Sequence, residues 1–442
     1  MSPPRRKVHL GVISLGCPKN LVDTERALGQ MAERGIVIVE NLEDADWVLI
    51  NTCGFIEDAR RESIDTILEV ASLKEKNPSL KIAVAGCLAE RYGEDLRREL
   101  GEVDLISGIL TRSHVDGIIE EITGKEAHAQ YAEYDDRGRL RVTAKHVAYL
   151  RISEGCDNRC AYCAIPDIRG GLASRPFEAV LADANELVAD GTVELNVIAQ
   201  DTTAYGIDLY GRYGLGELLA ELKDINRKGW IRLLYAHPAH LQEDVIDALA
   251  EGAPMVPYVD LPLQHISDRI LRRMGRGVTR ARIEDVIKRL RERVPGVYIR
   301  TAFIVGFPSE TKQEFEELLE FVATTRFERL GAFVYSKEEG TAAARFAGQV
   351  REEEKKHRLD VLMETQRRIA EEFNLSLVGR KLAGIIDGPS GRDDYPLEGR
   401  TFGDAPEVDG TVYVKGKAEA GEIVTLKIDD VEGYDLLARV AR

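Results

Sequence analysis

Three cysteines lie within eight residues near the middle of the chain. They are Cys156, Cys160 and Cys163, in the stretch "SEGCDNRCAYCAIPDIRGG". Zinc and iron–sulfur centres normally take four ligands, so three thiolates leave one coordination position open. We interpret the trio as ligands of a 4Fe–4S cluster whose open iron can bind a substrate or cofactor. Zinc is the alternative, and it would need a fourth protein ligand.

The other three cysteines recur at intervals that fit one β/α unit each. Cys17, Cys53 and Cys87 end or follow the apolar runs "VISLGC", "VLINTC" and "IAVAGC". The carboxyl ends of neighbouring parallel strands share one edge of a sheet, and ligands bind at that edge. The spacing therefore predicts that these three cysteines meet at one point. The alternative is that each is a small, buried apolar side chain.

Alternating apolar runs and amphipathic stretches fill the first 140 residues and predict an α/β fold with an open, doubly wound parallel sheet. Residues 124–140 are polar and predict a linker. The strands are predicted at "HLGVISLGC", "DWVLINTCGF", "KIAVAGC" and "VDLISG", with helices at "LVDTERALGQMAERG" and "ARRESIDTILEVASLKEKN".

The same alternation returns from residue 146 to about 340 and predicts a partial (β/α)6 barrel, because eight units would close a full one. A long, charged, solvated connecting helix is predicted at 351–373. Short β-like runs then predict a small all-β barrel. We expect three domains, at 1–125, 142–373 and 374–442. The six barrel strands are predicted at "HVAYLRISEGC", "ELNVIAQD", "IRLLYAHP", "YVDLPLQH", "VYIRTAFIVGFP" and "RLGAFVYSKEEG".

Polar residues follow several of these predicted barrel strands, where the active sites of β/α barrels lie. We therefore expect a pocket at the carboxyl edge of the sheet. His237 and His240 alone do not predict a metal, because no carboxylate accompanies them in sequence. The polar residues are Gln200 and Asp201, Tyr235 and His237, Gln264 and His265, and the stretch "GFPSE" at 306–310.

Overall composition narrows the function classes. The 442 residues include 60 Lys and Arg against 76 Asp and Glu, a formal charge of −16. This balance disfavours unaided binding to nucleic acid. No apolar run is long enough to span a membrane, and the start, "MSPPRRKVHLGVISLGC", is better interpreted as a strand entering a turn than as a signal peptide. A cytoplasmic location is expected, where clustered cysteines indicate metal or redox chemistry.

The CxxxCxxC spacing, with Tyr162 before the last cysteine, resembles the signature of radical S-adenosylmethionine enzymes. The resemblance implies that the three cysteines bind a 4Fe–4S cluster and that S-adenosylmethionine chelates its fourth iron. Reduction would cleave the cofactor to methionine and a 5′-deoxyadenosyl radical, which abstracts hydrogen from the substrate. By the same resemblance, Tyr162, Gln200 and Gly306 are candidate contacts for S-adenosylmethionine.

Along its whole length, the chain resembles the methylthiotransferases within that superfamily. The resemblance implies that Cys17, Cys53 and Cys87 hold an auxiliary 4Fe–4S cluster that carries or delivers sulfur. One S-adenosylmethionine would supply the methyl group and another the radical, with an electron donor and a sulfur source as partners. Radical abstraction needs no acid or base in that step, so no catalytic side chain is assigned.

Several short stretches resemble the branch that modifies an aspartate of the twelfth small-subunit ribosomal protein. The tRNA-modifying branch usually has GCQMN where this chain has "GCPKN", and its terminal TRAM barrel is typically basic. Residues 375–442 contain nine Lys and Arg against thirteen Asp and Glu, which suits a basic ribosomal protein and repels tRNA. The stretches are "LGCPKNLVDTE", "NTCGFI", "QDTTAYG", "YVDLPLQH" and "FGDAPEVDG".

Three alternatives to a ribosomal-protein methylthiotransferase stay open at this point. The first is a tRNA adenosine methylthiotransferase. The second is a non-enzymatic iron–sulfur carrier that docks on ribosomes, which would need no S-adenosylmethionine pocket. The third is a binding module that works through the terminal barrel alone, but this leaves both cysteine trios unexplained.

Overall fold

The computed structural model describes residues 7–126 and 135–441. The predicted linker at 124–140 falls partly on residues 127–134, which lie outside the described residues. The chain divides into two compact units. The first contains Met1–Val142, Glu154–Asp157 and Ala164–Leu172, and the second contains Thr143–Ser153, Asn158–Cys163 and Ala173–Arg442.

The first unit is built on a five-stranded parallel sheet with the strand order β2-β1-β3-β4-β5. Neighbouring strand residues point to opposite faces, because side chains alternate along a strand. Leu49 and Ala83 pack with α1 and α4 on one face, and Val48 and Val84 pack with α2 and α3 on the other. The predicted doubly wound sheet is confirmed. The elements are β1 (His9–Ser14), α1 (Pro18–Glu33), β2 (Val37–Ile38), β3 (Trp47–Thr52), α2 (Glu57–Ser72), β4 (Lys81–Gly86), α3 (Cys87–Glu99), β5 (Leu105–Ile106) and α4 (Arg112–Thr123).

The second unit contains a six-stranded parallel sheet with the order β13-β12-β11-β10-β9-β6. All six predicted strands are confirmed, and the sheet is a partial barrel because its edge strands do not pair with each other. Between Val147 and Val334, helix α5 (Ile165–Arg169) and Glu154 of β7 (Ser153–Glu154) belong to the first unit. The other elements are β6 (Val147–Arg151), β8 (Ala173–Ser174), α6 (Phe177–Ala189), β9 (Glu194–Ile198), α7 (Ile207–Tyr210), α8 (Leu215–Ile225), β10 (Trp230–Leu233), α9 (Glu243–Ala250), β11 (Met255–Asp260), α10 (Asp268–Arg273), α11 (Arg280–Arg293), β12 (Tyr298–Val305), α12 (Lys312–Thr325) and β13 (Arg329–Val334).

Helix α13 (Glu352–Leu375) is the predicted charged helix, but it is not fully solvated as expected. Leu362 and Ile369 join the core of the partial barrel. Lys355 Nζ donates to the Tyr335 carbonyl at 2.9 Å, so even a charged side chain lies on the buried face. This face was not predicted, because long charged side chains can bury their stems and so give no apolar pattern in the sequence. Within residues 7–126 and 135–441, no helix combines the length and apolar character required to cross a bilayer.

The chain ends in a closed five-stranded barrel, which confirms the predicted all-β element. Its strand order is β14-β15-β16-β18-β17. The strand β15 has the sequence "LEGRT", which was not predicted because it lacks a run of apolar residues. The strands are β14 (Lys381–Pro389), β15 (Leu397–Thr401), β16 (Val412–Lys415), β17 (Ile423–Glu432) and β18 (Asp435–Val440).

Buried ion pairs attach this terminal barrel to the amino edge of the six-stranded sheet. Arg400 Nη1 lies 2.6 Å from an oxygen of Glu194, the first residue of β9. Arg329, the first residue of β13, donates from Nε to Asp404 at 3.1 Å. Asp404 belongs to the stretch "FGDAPEVDG", so this stretch serves to dock the terminal barrel. The barrel therefore lies opposite the carboxyl edge of the sheet.

Candidate functional site

The strands β1, β3 and β4 end level with one another. Their register pairs Ser14 with Asn51 and Asn51 with Ala85, immediately before the three turns that carry Cys17, Cys53 and Cys87. The chain order reverses between β1 and β3, which is the switch point where open α/β sheets bind ligands. The predicted placement of the three cysteines at one sheet edge is confirmed. Their role as cluster ligands stays a prediction.

Two glycines allow the three turns to approach closely. Gly16 has a φ of +92°, and a Cβ there would lie 2.8 Å from Cys53 Cβ. Gly86 has a φ of +96°, and its Cβ would lie 2.2 Å from Asn51 Oδ1. Any other residue would be both strained and in collision, because side chains disfavour positive φ. Glycine at these two positions therefore allows the turns that carry the cysteines to lie close to one another.

Asn20, in the first turn of α1, ties these turns to one another. Its Nδ2 donates to the carbonyls of Leu15 at 3.0 Å and Thr52 at 3.1 Å. Its Oδ1 accepts from Cys87 Sγ at 3.5 Å. Asn20 is the last residue of the stretch "GCPKN", and its contacts with the other two turns were not predicted from the sequence. One buried amide thus links the segments that follow β1, β3 and β4.

The thiols of this trio suit a soft metal centre. None of the chain's six cysteines, all in the described residues, forms a disulfide. Burial raises the pKa of Cys87 to about 11 and also raises that of Cys53, and the Cys17 thiol adds to both shifts. Such thiols stay protonated until a metal displaces the proton. Three soft ligands in one pocket fit an iron–sulfur cluster.

Arg169, at the end of α5, lies beside this trio. Its Nη2 donates to Asn20 Oδ1 at 2.6 Å and Asp23 Oδ2 at 2.9 Å, and its Nη1 donates to Glu154 Oε1 at 3.0 Å. Burial opposes its charge, but Glu154, Asp23, Cys87 and Cys17 together raise the pKa of the guanidinium well above its usual value. It is therefore a permanently charged group. Its position beside the amino-terminal trio was not predicted, because Arg169 is far from these cysteines in the sequence.

The second trio lies on the loop between β7 and α5. The Cys156 amide donates to the Gly170 carbonyl at 3.2 Å, which closes the base of the loop. The Cys163 amide donates to the Cys160 carbonyl at 3.1 Å, which forms a tight turn. Cys156 belongs to the first compact unit, and Cys160 and Cys163 belong to the second.

Cys160 and Tyr162 share their surroundings with a buried arginine. Arg276 Nη1 lies 3.8 Å from Cys160 Sγ, within reach of a weak hydrogen bond to sulfur. Tyr162 packs against an apolar cluster that includes Phe307, and burial of its hydroxyl raises its pKa well above the usual value. Gly306 directly precedes Phe307. This arrangement brings Tyr162 to the "GFPSE" turn.

Gln200 lies two residues beyond the end of β9, at the same carboxyl edge from which the "GFPSE" turn leaves β12. It is partly buried. The sheet therefore places Gln200 and Gly306 on one edge, as expected for a β/α barrel. Tyr162, on the cysteine loop, reaches this edge by packing in the apolar cluster with Phe307. Their contact with S-adenosylmethionine stays a prediction.

Asp201 anchors the cysteine loop to the end of β9. One carboxylate oxygen accepts from Asn158 Nδ2 at 2.7 Å and from His240 Nδ1 at 2.8 Å. The other accepts from the amide and hydroxyl of Thr203 and from the Ala204 amide. Burial opposes ionisation, but the hydrogen bonds from His240 and Thr203 lower the pKa of Asp201 to about 2. It is therefore a fixed anion beneath the loop.

Asn158→Asp is expected to release this anchor, because it places a second carboxylate against Asp201. Losing a hydrogen bond to a charged group removes about 1.5–3 kcal/mol from the loop arrangement, and like-charge repulsion adds to it. We expect less iron bound per chain and slower formation of 5′-deoxyadenosine. Asp208→Asn is the matched control, since Asp208 binds Ser174 instead. Equal iron content in Asn158→Asp and the parent would contradict the anchor.

His237 and His240, in the stretch "HPAH" at 237–240, have no carboxylate near them in the sequence, but the folded chain brings Asp201 beside them. Ligand atoms of Asp201, His237 and His240 all lie within 4.8 Å of one another. However, five donors already satisfy the Asp201 oxygens, so we interpret the group as a hydrogen-bonded anchor and not as a metal site. Burial and the Arg276 charge lower the pKa of His237 well below its usual value, so its ring stays neutral.

Strained backbone marks the same edge of the sheet. Tyr235, Gln264 and Ser309 have φ values of 58°, 72° and 69°, and they follow β10, β11 and β12 respectively. Each non-glycine residue in this region of φ costs about 1–3 kcal/mol, and such residues cluster at functional sites. The strain supports the predicted pocket at the carboxyl edge.

Three family models match successive parts of the chain. Residues 9–108 match the Uncharacterized protein family UPF0004, 150–322 the Radical SAM superfamily, and 378–441 the TRAM domain. A solved structure of the radical S-adenosylmethionine methyltransferase TsrM from Kitasatospora setae is similar, with a TM-score of 0.53 at 14% identity. The match covers 74% of this chain and 75% of that one, and it shows the fold alone.

Curated relatives match nearly the whole chain. The ribosomal protein uS12 methylthiotransferase RimO of Geobacter sulfurreducens is 43% identical and covers 100% of both chains. RimO of Anaeromyxobacter sp. (strain K) is 44% identical over 97% of this chain and 92% of its own. That of Caldanaerobacter subterraneus subsp. tengcongensis is 45% identical over 97% and 99%. With this identity and coverage, added to the two cysteine trios, the chain belongs to the RimO family of radical S-adenosylmethionine methylthiotransferases.

Proposed function

We propose that this protein adds a methylthio group to the β-carbon of an aspartate side chain in ribosomal protein uS12. The observation that carries the proposal is the pair of cysteine trios, each at the carboxyl edge of its own parallel sheet. One trio alone would suffice for S-adenosylmethionine cleavage. The second trio provides a site for an auxiliary cluster that would carry or deliver the sulfur. The names of the relatives support uS12 as the substrate.

Cys156, Cys160 and Cys163 would hold one 4Fe–4S cluster, and Cys17, Cys53 and Cys87 would hold the other. When bound, the loop cluster would supply the reductive cleavage of S-adenosylmethionine that activates an unreactive substrate carbon. The donor set fits, because all six are soft thiols outside any disulfide and each trio would leave one iron open. An electron donor and a sulfur source complete the reaction.

The chain's own residues position the reactants. Tyr162, Gln200 and Gly306 contact S-adenosylmethionine at the carboxyl edge. Asp201 and Asn158 fix the cysteine loop against β9, and Arg276 places a positive charge beside Cys160. These groups orient the cofactor and limit competing reactions, which is the usual contribution of a protein to cofactor chemistry.

The charge of the chain favours a basic protein substrate over tRNA. The whole chain carries −16, and the terminal barrel is itself acidic. A phosphate backbone is repelled by such a surface, whereas a basic ribosomal protein is attracted. We assign the three domains to 1–125, 142–373 and 374–442. The acidic charge of the chain would favour binding of a basic protein substrate.

Reconstituted protein given reductant, S-adenosylmethionine and sulfide is expected to modify uS12 and to leave tRNA unchanged. Mass spectrometry of digested uS12 should find one methylthio group on a single aspartate, and nucleoside analysis of tRNA should find none. Matched reactions without sulfide control for methylation alone. Methylthio-adenosine in tRNA, with uS12 unmodified, would favour the tRNA branch. Absence of 5′-deoxyadenosine in every reaction would favour the iron–sulfur carrier.

A further inference from the structure

Arg169 has no part in the proposed chemistry, yet it is a buried cation beside the amino-terminal cysteine trio. Its side chain is 2% exposed. It reaches Asn20 Oδ1, the same oxygen that accepts from Cys87 Sγ, so guanidinium, amide and thiol form one connected group. The guanidinium lies near enough to Cys87 and Cys17 to interact with their thiolates once a metal has displaced the protons.

We propose that Arg169 is the positioning residue that stabilises the electron-rich form of a cluster held by Cys17, Cys53 and Cys87, and so sets its reduction potential. This inference rests on the proposed function, because it takes those cysteines as ligands. Thiolates make a cluster more negative, and net charge and nearby hydrogen bonds govern cluster potentials. A fixed cation favours the form that has gained an electron.

Two carboxylates hold the guanidinium in place. Asp23 lies on α1, six residues after Cys17, and Glu154 lies two residues before Cys156. Both are largely buried, with side chains that are 3% and 14% exposed. A charge among buried groups acts through a lower dielectric than water and is felt over longer distances. Arg169 and Asp23 should therefore shift the potential of the same cluster in opposite directions.

The test uses full-length protein in which Cys156, Cys160 and Cys163 are replaced by alanine, so that only the amino-terminal trio can bind a cluster. Reduction potentials are measured by electron paramagnetic resonance during anaerobic titration, with iron and sulfide counted on the same samples. Arg169→Gln is expected to shift the potential to a more negative value. Asp23→Asn is expected to shift it to a more positive value, and Arg169→Lys to lie near the parent.

Arg232→Gln is the matched control. Arg232 is equally buried and paired with a carboxylate, Glu194, but it belongs to the other compact unit. It should leave the potential unchanged. A purely structural defect would reduce iron content in all variants without opposite shifts, so the sign of the shifts separates the two roles.

Three outcomes of this titration would overturn the proposed role of Arg169. Parent-like potentials in Arg169→Gln and Asp23→Asn, at full iron content, would overturn the inference. If Arg169→Gln binds no iron, Asp23→Asn decides, since an unshifted potential in that variant also overturns it. If the parent background itself binds no iron, the proposed ligand set fails, and the role of Arg169 fails with it.

Discussion

Replacing Cys160 with alanine is expected to abolish cleavage of S-adenosylmethionine, lowering the rate of 5′-deoxyadenosine formation by more than about 100-fold. The loss of a partner outside the ligand set already costs a metal site about 10–100-fold. Cys160 would be a direct ligand, and it lies between Asn158, which donates to Asp201, and Tyr162. The measurement is 5′-deoxyadenosine released under strong reductant, together with iron bound per chain.

Ile270→Val is the control for this variant, because Ile270 packs in the apolar cluster that Tyr162 contacts. It removes one methylene from a fully buried side chain, at about 0.5–1.5 kcal/mol of stability. It should retain both cofactor cleavage and iron. If Cys160→Ala forms 5′-deoxyadenosine at the parent rate, Cys160 is not a cluster ligand. A zinc site or a structural role for the loop would then be favoured.

Replacing Cys87 with alanine is expected to separate the two halves of the reaction. S-adenosylmethionine should still be cleaved, because the loop trio is intact, but transfer of a methylthio group to uS12 should fall by more than about 100-fold, by the same comparison with a lost outer partner. Iron should drop by one cluster per chain. The measurements are 5′-deoxyadenosine, modified uS12 and iron, made on the same preparation.

Val84→Ala is the matched control for Cys87→Ala. Val84 is buried in β4, the strand that leads directly to Cys87. Its truncation destabilises the same strand by about 1–3 kcal/mol without removing a thiol. It should retain methylthio transfer. Full transfer by Cys87→Ala, or loss of transfer in Val84→Ala to the same extent, would contradict a ligand role for Cys87.

Much of the fold was accessible from the pattern of residues alone. Parallel strands buried on both faces appear as continuous apolar runs, and the predicted runs in both sheets are strands in the structure. The strands that were missed, such as β2 and β15, are very short or polar. They are held by their neighbours in the sheet and not by an apolar run of their own.

The charged helix α13 shows a different limit. Its sequence predicts solvent on every side, whereas Lys355 and Arg358 lie on a buried face and donate to the carbonyls of Tyr335 and Glu310. Such side chains bury their stems while their charged ends find partners, and those partners are distant in sequence. No local pattern in the helix records where they lie.

What the sequence determined by itself was the chemistry: the soft ligands, their spacing, their place after apolar strands, and the acidic character of the whole chain. Residue type and spacing are local properties and net charge is a sum over residues, so both can be obtained from the sequence without the fold. What only the tertiary structure decided was the surroundings of the ligands. Asn20 joining three turns, Arg169 reaching Asp23, and Asp201 holding Asn158 all depend on residues far apart in sequence, and such contacts exist only once the sheets have formed.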